Sequence, residues 1–284
     1  MRLIPPTFPF LAAADDAHPG VVILGVPLDR TESYRSGTRD APDRIRRVSD
    51  VLETFSPALG LDLEEVHLAD WGNVEIIGSM EQTLADVADA CETAGRAGLP
   101  LVLGGEHTIT VGSVRGLKRV YPEICVVHVD AHLDLRDQYD GERISHATVM
   151  RRVADDLGAD RIAQVGIRSG TREEFAYAQR CLTSQAALQL DNVTRHALAD
   201  RPIYLSIDID VLDPSCAPGT GCPEPGGPSF TELLRFIYSL RGLHVVAADV
   251  TEVLPKADVN DITSAAAAKI VREIALAFVR TGST

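Results

Sequence analysis

Short, uniformly apolar runs alternate along the chain with longer amphipathic stretches. VVILGVP (21–27), LVLGG (101–105), ICVVHVD (124–130), IAQVGIR (162–168), PIYLSIDID (202–210) and VVAADVTEV (245–253) have no regular wet face, and so predict strands buried on both sides. Between them, SMEQTLADVADACETAGRAG (79–98) spaces its apolar residues helically and has a glycine near its stop. SFTELLRFIYSLRG (229–242) opens on Ser/Thr and closes on Gly. The alternation implies βαβ units, hence one parallel sheet with helices on both faces and ligands beyond the carboxyl ends of the strands. No repeat or linker divides the chain, so a single domain over 1–284 is expected. The Gly- and Pro-rich CAPGTGCPEPGGPS (216–229) is the longest irregular stretch and predicts a loop at the site.

Polar residues break this pattern at strand ends. In VVHVDAHLDLRD (126–137), Asp130, His132 and Asp134 alternate, and would share one face if the extended conformation persisted. By itself this reads as a solvated strand end, or as a metal site of oxygen ligands and an imidazole. Two further strand ends change the weighing. LVLGG is followed by Glu106 and His107, and SIDIDVLDP (206–214) carries Asp208 and Asp210, again two apart. GGEH alone is weak and DIDVLDP alone fits a turn entrance at Asp-Pro, but polar residues drawn from three strand ends mark a site. Four carboxylates in one buried place raise one another's pKa values unless cations compensate them, and two divalent ions balance four carboxylates. The oxygen-rich set with two histidines suits Mn²⁺; ligand type alone leaves Zn²⁺, Fe²⁺, Co²⁺ and Ni²⁺ open. Paired ions roughly 3.5–4 Å apart activate water, so hydrolysis is the reaction class.

Composition narrows the partners. The 284 residues, 45% hydrophobic, are enough for a large core. Acidic residues exceed basic ones, 41 to 27, for a formal charge of −14, which disfavours nucleic acid and anionic membranes and favours a small cationic substrate. No apolar run approaches the roughly 20 residues of a membrane span, and prolines interrupt the opening MRLIPPTFPFLAAADD, so a cytoplasmic protein is expected. The five cysteines lack CxxC spacing, which argues against a disulfide framework or structural zinc.

GGEHTIT, DAHLDLRD and SIDIDVLDPSCAPGTGCPEPGG, in this order, resemble the three signatures of the ureohydrolase (arginase and agmatinase) superfamily, over about Val21 to the C-terminal helix. The resemblance implies an α/β fold, a three-layer αβα sandwich with a central mostly parallel sheet. It also implies a binuclear manganese centre that releases urea from guanidino compounds. By the same resemblance His107, Asp130, Asp134 and Asp208 would hold one Mn²⁺, and Asp130, His132, Asp208 and Asp210 the other, with Asp130 and Asp208 bridging. His146, in ISHATVMRR, resembles the histidine that protonates the departing amine, and Glu252, in DVTEVLP, the carboxylate that holds the guanidinium. Read alone, His146 is a surface histidine beside Ser145 and Glu252 a solvated strand-end charge. His128 shares the face of Asp130 but lies further back, and is expected to be a core histidine or a hydrogen-bonding partner behind the ligands. Glu106 is read as such a partner or as exposed, and Asp213 as a residue that structures its loop. Cys222 and Pro228 stand where the pattern usually has threonine and an aliphatic residue.

Substrate choice is expected to lie in LRDQYDGERIS (135–145), which joins a metal ligand to the proton carrier. It lacks the Ser/Thr-Gly-Asn stretch with which arginases grip an α-carboxylate and α-amine, and with SHATVMRR it resembles agmatinases. Agmatine, cleaved to putrescine and urea for polyamine biosynthesis, is the leading substrate. Asp137, Asp140 and Glu142 would either attract its distal ammonium or be ordinary solvated loop charges. N1-aminopropylagmatine is a longer alternative. A guanidinobutyrase or formiminoglutamase would instead use Arg136 or Arg143 for a substrate carboxylate, and a catalytically silent metal-binding scaffold is the remote alternative. The resemblance implies a homotrimer or homohexamer.

Overall fold

The computed structural model describes residues 1–279; residues 280–284, part of the expected domain, lie outside the described residues. Eleven strands are formed: β1 (Leu3–Ile4), β2 (Val21–Val26), β3 (Phe55–Ser56), β4 (Leu61–Asp62), β5 (Leu68–Val74), β6 (Leu99–Gly104), β7 (Cys125–Val129), β8 (Ile162–Val165), β9 (Thr183–Gln185), β10 (Pro202–Asp208) and β11 (His244–Thr251). The helices are α1 (Ala41–Ser49), α2 (Met80–Ala97), α3 (Ile109–Val120), α4 (Val149–Leu157), α5 (Arg172–Ala178), α6 (Asn192–Leu198), α7 (Phe230–Ser239) and α8 (Ile262–Phe278). Each of the six apolar runs is a strand, and both amphipathic stretches are helices. Ser79 and Ser229 cap α2 and α7 by accepting the backbone N–H three residues on.

Nine strands form one sheet in the order β1-β5-β2-β6-β11-β10-β7-β8-β9, and β3-β4 is a separate hairpin. Every pairing in the large sheet is parallel except that of β1 with β5. Because side chains alternate along a strand, each strand feeds two cores. Val21 and Ile23 belong to the core that also holds Ile45 of α1, Ile237 of α7 and Ile274 of α8; Val22, Leu24 and Val26 belong to the core that holds Val87 of α2, Val114 of α3 and Val153 of α4. This is the αβα sandwich. No helix among the described residues is long and apolar enough to cross a membrane.

One buried ion pair fastens a helix to this sheet. Arg46 of α1, fully buried, grips Asp70 of β5 with two parallel bonds, Nε to Oδ2 at 2.8 Å and NH2 to Oδ1 at 2.9 Å, and its NH1 donates to Asn73 Oδ1 at 2.6 Å. A charge left there without its partner is costly, so Asp70→Ala is expected to destabilise the protein by about 3–5 kcal/mol. A urea midpoint equal to wild type would refute this.

Candidate metal centre

The strands that carry the polar motifs are β6, β11, β10 and β7, which are scattered along the chain but consecutive in the sheet. Their carboxyl ends therefore meet at the middle of one edge, where a parallel sheet presents its ligands. After β6, Gly105 turns the chain toward α3. A Cβ on Gly105 would fall 1.9 Å from the Leu28 carbonyl oxygen, so only glycine lets the loop after β2 lie against this turn. His107 follows, its backbone N–H donating to Glu252 Oε1 at 2.6 Å.

Alternation along an extended strand is not what brings Asp130, His132 and Asp134 together. β7 ends at Val129, and Asp134 turns back in the left-handed region with φ 53°. Asp210 likewise leaves β10 in a single 3-10 turn, Ile209–Val211, its N–H donating to Asp208 Oδ1 at 2.8 Å. Glu252, just after β11, has φ 61°. Strained backbone at charged residues is the kind that surrounding structure holds in place at functional sites.

His107 Nδ1 lies 3.2 Å from Asp134 Oδ2 and 3.3 Å from both Asp130 Oδ2 and Asp208 Oδ2. This buried nitrogen has no aligned hydrogen bond. The other ring nitrogen, Nε2, donates to Ser206 Oγ at 2.9 Å, and Ser206 in turn donates to Asp249 Oδ1 at 2.8 Å. With its proton on Nε2, the ring points a lone pair at three carboxylate oxygens, an arrangement that a cation between them makes favourable. On the far side of Asp130, His132 Nδ1 is 2.9 Å from Asp210 Oδ2 and 3.6 Å from Asp130 Oδ1. Two donor groups result, each with its atoms within 4.8 Å of one another: His107, His128, Asp130 and Asp134, then Asp130, His132 and Asp210. They share Asp130.

The electrostatics express the same crowding. Burial and the neighbouring Asp210 and Asp130 push Asp208 well above the usual carboxylate range, and burial with Asp130 raises Asp210. Burial also opposes charge on Asp130, but His128, His107 and His132 outweigh it and hold Asp130 low. Glu252 is raised by burial and then by Glu32. His128 Nε2 donates to Asp130 Oδ2 at 2.8 Å while its Nδ1 accepts from Gln164 at 3.0 Å. Both its ring nitrogens are occupied, so it orients Asp130.

The donor groups open into a cavity of about 300 Å³, lined also by Glu252, His146, Tyr139, Arg136 and Cys222. Asp130 is buried beneath it. His146 begins the turn that leads into α4, its ring T-shaped against that of Tyr139 with centroids 5.6 Å apart. All eight predicted site residues thus gather at one sheet edge. A family model described as the arginase family matches residues 19–277.

The chain belongs to the arginase family. The agmatinase of Bacillus anthracis is 42% identical over 92% of this chain and 92% of its own. The guanidinobutyrase of Pseudomonas aeruginosa is 35% identical over 88% of this chain and 84% of its own. The crystal structure of the agmatine ureohydrolase of Thermoplasma volcanium superposes with a TM-score of 0.84 at 34% identity, covering 96% of this chain and 95% of that one. The chain is thus a ureohydrolase-type hydrolase of guanidino compounds, with the His/Asp cluster of the arginase family's binuclear site.

Within this arginase-family site, the loop 135–145 distributes its charges unlike the agmatine expectation. Asp137 is turned outward, held by Arg152 NH2 at 2.8 Å, which lowers its pKa, and Asp140 and Glu142 are exposed in a tight turn. Arg143 sits with Asp137 and Asp155. Arg136 is the charge of this loop that lines the cavity, its guanidinium 5.0 Å above the Tyr139 ring and Nε 3.5 Å from Glu174. Asp213 accepts from Ser215 and Gly226 and staples the loop after β10.

Sequence reading missed the residues behind the ligands. Asp249, Ser206, Gln164 and Thr31 were not singled out, and Glu106 is fully buried. The signal for Asp249 is a carboxylate in the middle of the apolar run VVAADV, before the strand end at Glu252. Asp249 accepts from Ser206, Thr110 and Tyr204. Since partners that orient a metal-binding imidazole set its affinity, Asp249→Asn is expected to weaken divalent-metal binding about ten- to a hundredfold. Isothermal titration calorimetry reads this, and unchanged affinity would show that the Ser206–Asp249 chain does not orient His107.

Proposed function

We propose that this chain is a cytoplasmic, homo-oligomeric agmatinase, a trimer or hexamer, that hydrolyses agmatine to putrescine and urea with two Mn²⁺. The observation that supports this best is the unbonded His107 Nδ1 facing three carboxylate oxygens, in a cavity whose other walls carry His146 and Glu252. His107, Asp130, Asp134 and Asp208 would hold one ion, and Asp130, His132, Asp208 and Asp210 the other; the oxygen-rich set fits Mn²⁺. When bound, the ions supply an activated water at neutral pH.

The chain's own residues do the rest. Glu252, buried and aimed by the His107 N–H, accepts charge-assisted hydrogen bonds from the planar guanidinium and so places its carbon over the metal ligands. Asp130, fixed by His128, and Asp210, fixed by the Ala131 N–H at 3.3 Å, keep the donor set rigid. His146 on the cavity wall delivers a proton to the departing amine nitrogen, which lets the carbon–nitrogen bond break toward a neutral amine.

A second reading has its own observation. Arg136, and no carboxylate of its loop, lines the cavity, which suits a guanidino acid whose carboxylate would pair with it, and one relative is named a guanidinobutyrase. N1-aminopropylagmatine and formiminoglutamate are further members of the panel. Urea or formamide release is measured after loading with Mn²⁺ or Ni²⁺ across agmatine, aminopropylagmatine, arginine, guanidinobutyrate, guanidine and formiminoglutamate. Agmatine is expected to give the highest kcat/KM; good turnover of a carboxylated substrate with none of agmatine would sink the agmatinase reading. Arg136→Gln separates the two further, raising KM for guanidinobutyrate and leaving or lowering it for agmatine. Asp210→Asn is expected to remove turnover while leaving the fold, and His146→Asn to lower kcat by about 10²–10⁴. Wild-type protein that holds two ions yet turns over nothing would mark a silent scaffold.

A further inference from the structure

The loop between β2 and α1 reaches into the site without contributing any predicted ligand. Glu106, the residue before His107, is fully buried and receives only donors from that loop. Its Oε2 accepts the backbone N–H of Arg30 at 2.6 Å and of Thr31 at 2.7 Å, and its Oε1 accepts the Thr31 hydroxyl at 2.9 Å. Thr31 Oγ1 has three other contacts: the His146 backbone N–H at 3.0 Å, His146 ring Nδ1 at 3.3 Å and the Thr108 hydroxyl at 3.4 Å. The opposite ring nitrogen, Nε2, is 3.3 Å from Ser33 Oγ, and both line the cavity.

From this geometry we infer that Thr31, locked by Glu106, holds His146 with its proton permanently on Nδ1, so that every proton His146 moves enters and leaves through Nε2. The inference rests on the reading of His146 as the proton carrier.

A threonine hydroxyl has one proton and two lone pairs. Its nearest acceptor is Glu106 Oε1, at 2.9 Å against 3.3 Å for Nδ1, so the proton goes there. The oxygen can then only accept, and its two nearer donors are the His146 backbone N–H and Nδ1–H, the Thr108 hydroxyl being the longest of the three contacts. An Nδ1 without a proton would set lone pair against lone pair. Ser33 imposes no such choice at Nε2, because its hydroxyl rotates to donate or accept. The neutral and charged rings therefore share the Nδ1–H···Thr31 bond. When the amine leaves, the Nε2–H bond breaks, an amine N–H forms and the electron pair stays on Nε2. The ring regains a proton from solvent at the same atom, with no tautomer change between turnovers. Glu106 and Thr31 are positioning residues, joining the strand of a metal ligand to the proton carrier.

Glu106→Gln reverses this polarity at nearly constant shape. The carboxamide oxygen still accepts from Arg30 and Thr31, but its NH2 now donates to Thr31 Oγ1 and frees the hydroxyl proton to point at Nδ1. With agmatine, Glu106→Gln and Thr31→Val are expected to lower kcat about ten- to a hundredfold, the scale for losing the partner that fixes a functional imidazole. KM and bound metal per chain should stay at wild-type values, and Thr31→Ser should restore kcat. Unchanged kcat in both variants, a loss that tracks loss of metal, or a Thr31→Ser as impaired as Thr31→Val would overturn the inference. A neutron structure of the metal-loaded wild type tests it independently of substrate. Deuterium on Nδ1 with the Thr31 deuteron directed at Glu106 supports it, whether or not Nε2 is also occupied; a bare Nδ1, or a Thr31 deuteron directed at it, overturns it. If His146→Asn keeps full kcat, the proton-carrier reading fails, while the neutron result still decides the tautomer.

Discussion

Buried negative charge is the constraint on which this structure depends. Asp130, Asp208 and Asp210 are almost wholly removed from water within reach of one another, and carboxylates so placed repel strongly and lose their hydration. The protein surrounds them with histidines, three against Asp130 alone. Divalent cations resolve the repulsion more completely than protons, since two of them match four carboxylates. The donor geometry, with His107 Nδ1 left unbonded, is arranged around charge of the opposite sign.

Such a cluster works only if its members cannot relax away from one another, and the supporting bonds show how that is prevented. Three of the predicted ligands have a second hydrogen-bonding atom engaged: His107 through Ser206 to Asp249, Asp130 through His128 to Gln164, and Asp208 by the Asp210 N–H. The outer partners are themselves satisfied and buried. Hydrogen-bonded networks of this kind fix ring orientation and tautomer, and a half-satisfied one would be worse than an apolar core.

The fold was legible because burial on both faces leaves a plain mark: strands such as VVILGV have no polar alternation, and the capped helices announce their starts. The metal-binding cluster was legible for a different reason, since its residues sit at fixed spacing just past those strands. What spacing could not convey was conformation. Asp130, His132 and Asp134 converge through a left-handed turn at Asp134, where extended geometry was expected. Asp137 and Arg136 are neighbours in sequence, yet one faces solvent and the other the cavity, because Arg152 on α4 captures Asp137. Asp249 lies hidden in an apolar run, and Thr31 comes from a segment without any motif. These placements depend on contacts between distant parts of the chain, which local sequence does not encode.

The adjacency of β6, β11, β10 and β7 has a consequence for how the protein comes to exist. These strands are neighbours in space but far apart in order, and β11 is the last of them to be synthesised. It must insert between β6 and β10, so the earlier strands cannot close on one another beforehand without blocking it. Long-range parallel pairing of this sort is slow, and it completes only after distant segments have found each other. All four carboxylates stand at or just past the ends of β7 and β10, which pair directly, so what waits for β11 is the arrival beside them of His107, from the end of β6, and of Glu252. A chain that has not yet received its central strand has neither His107 nor Glu252 at the cluster, so the complete site is a property of the finished protein.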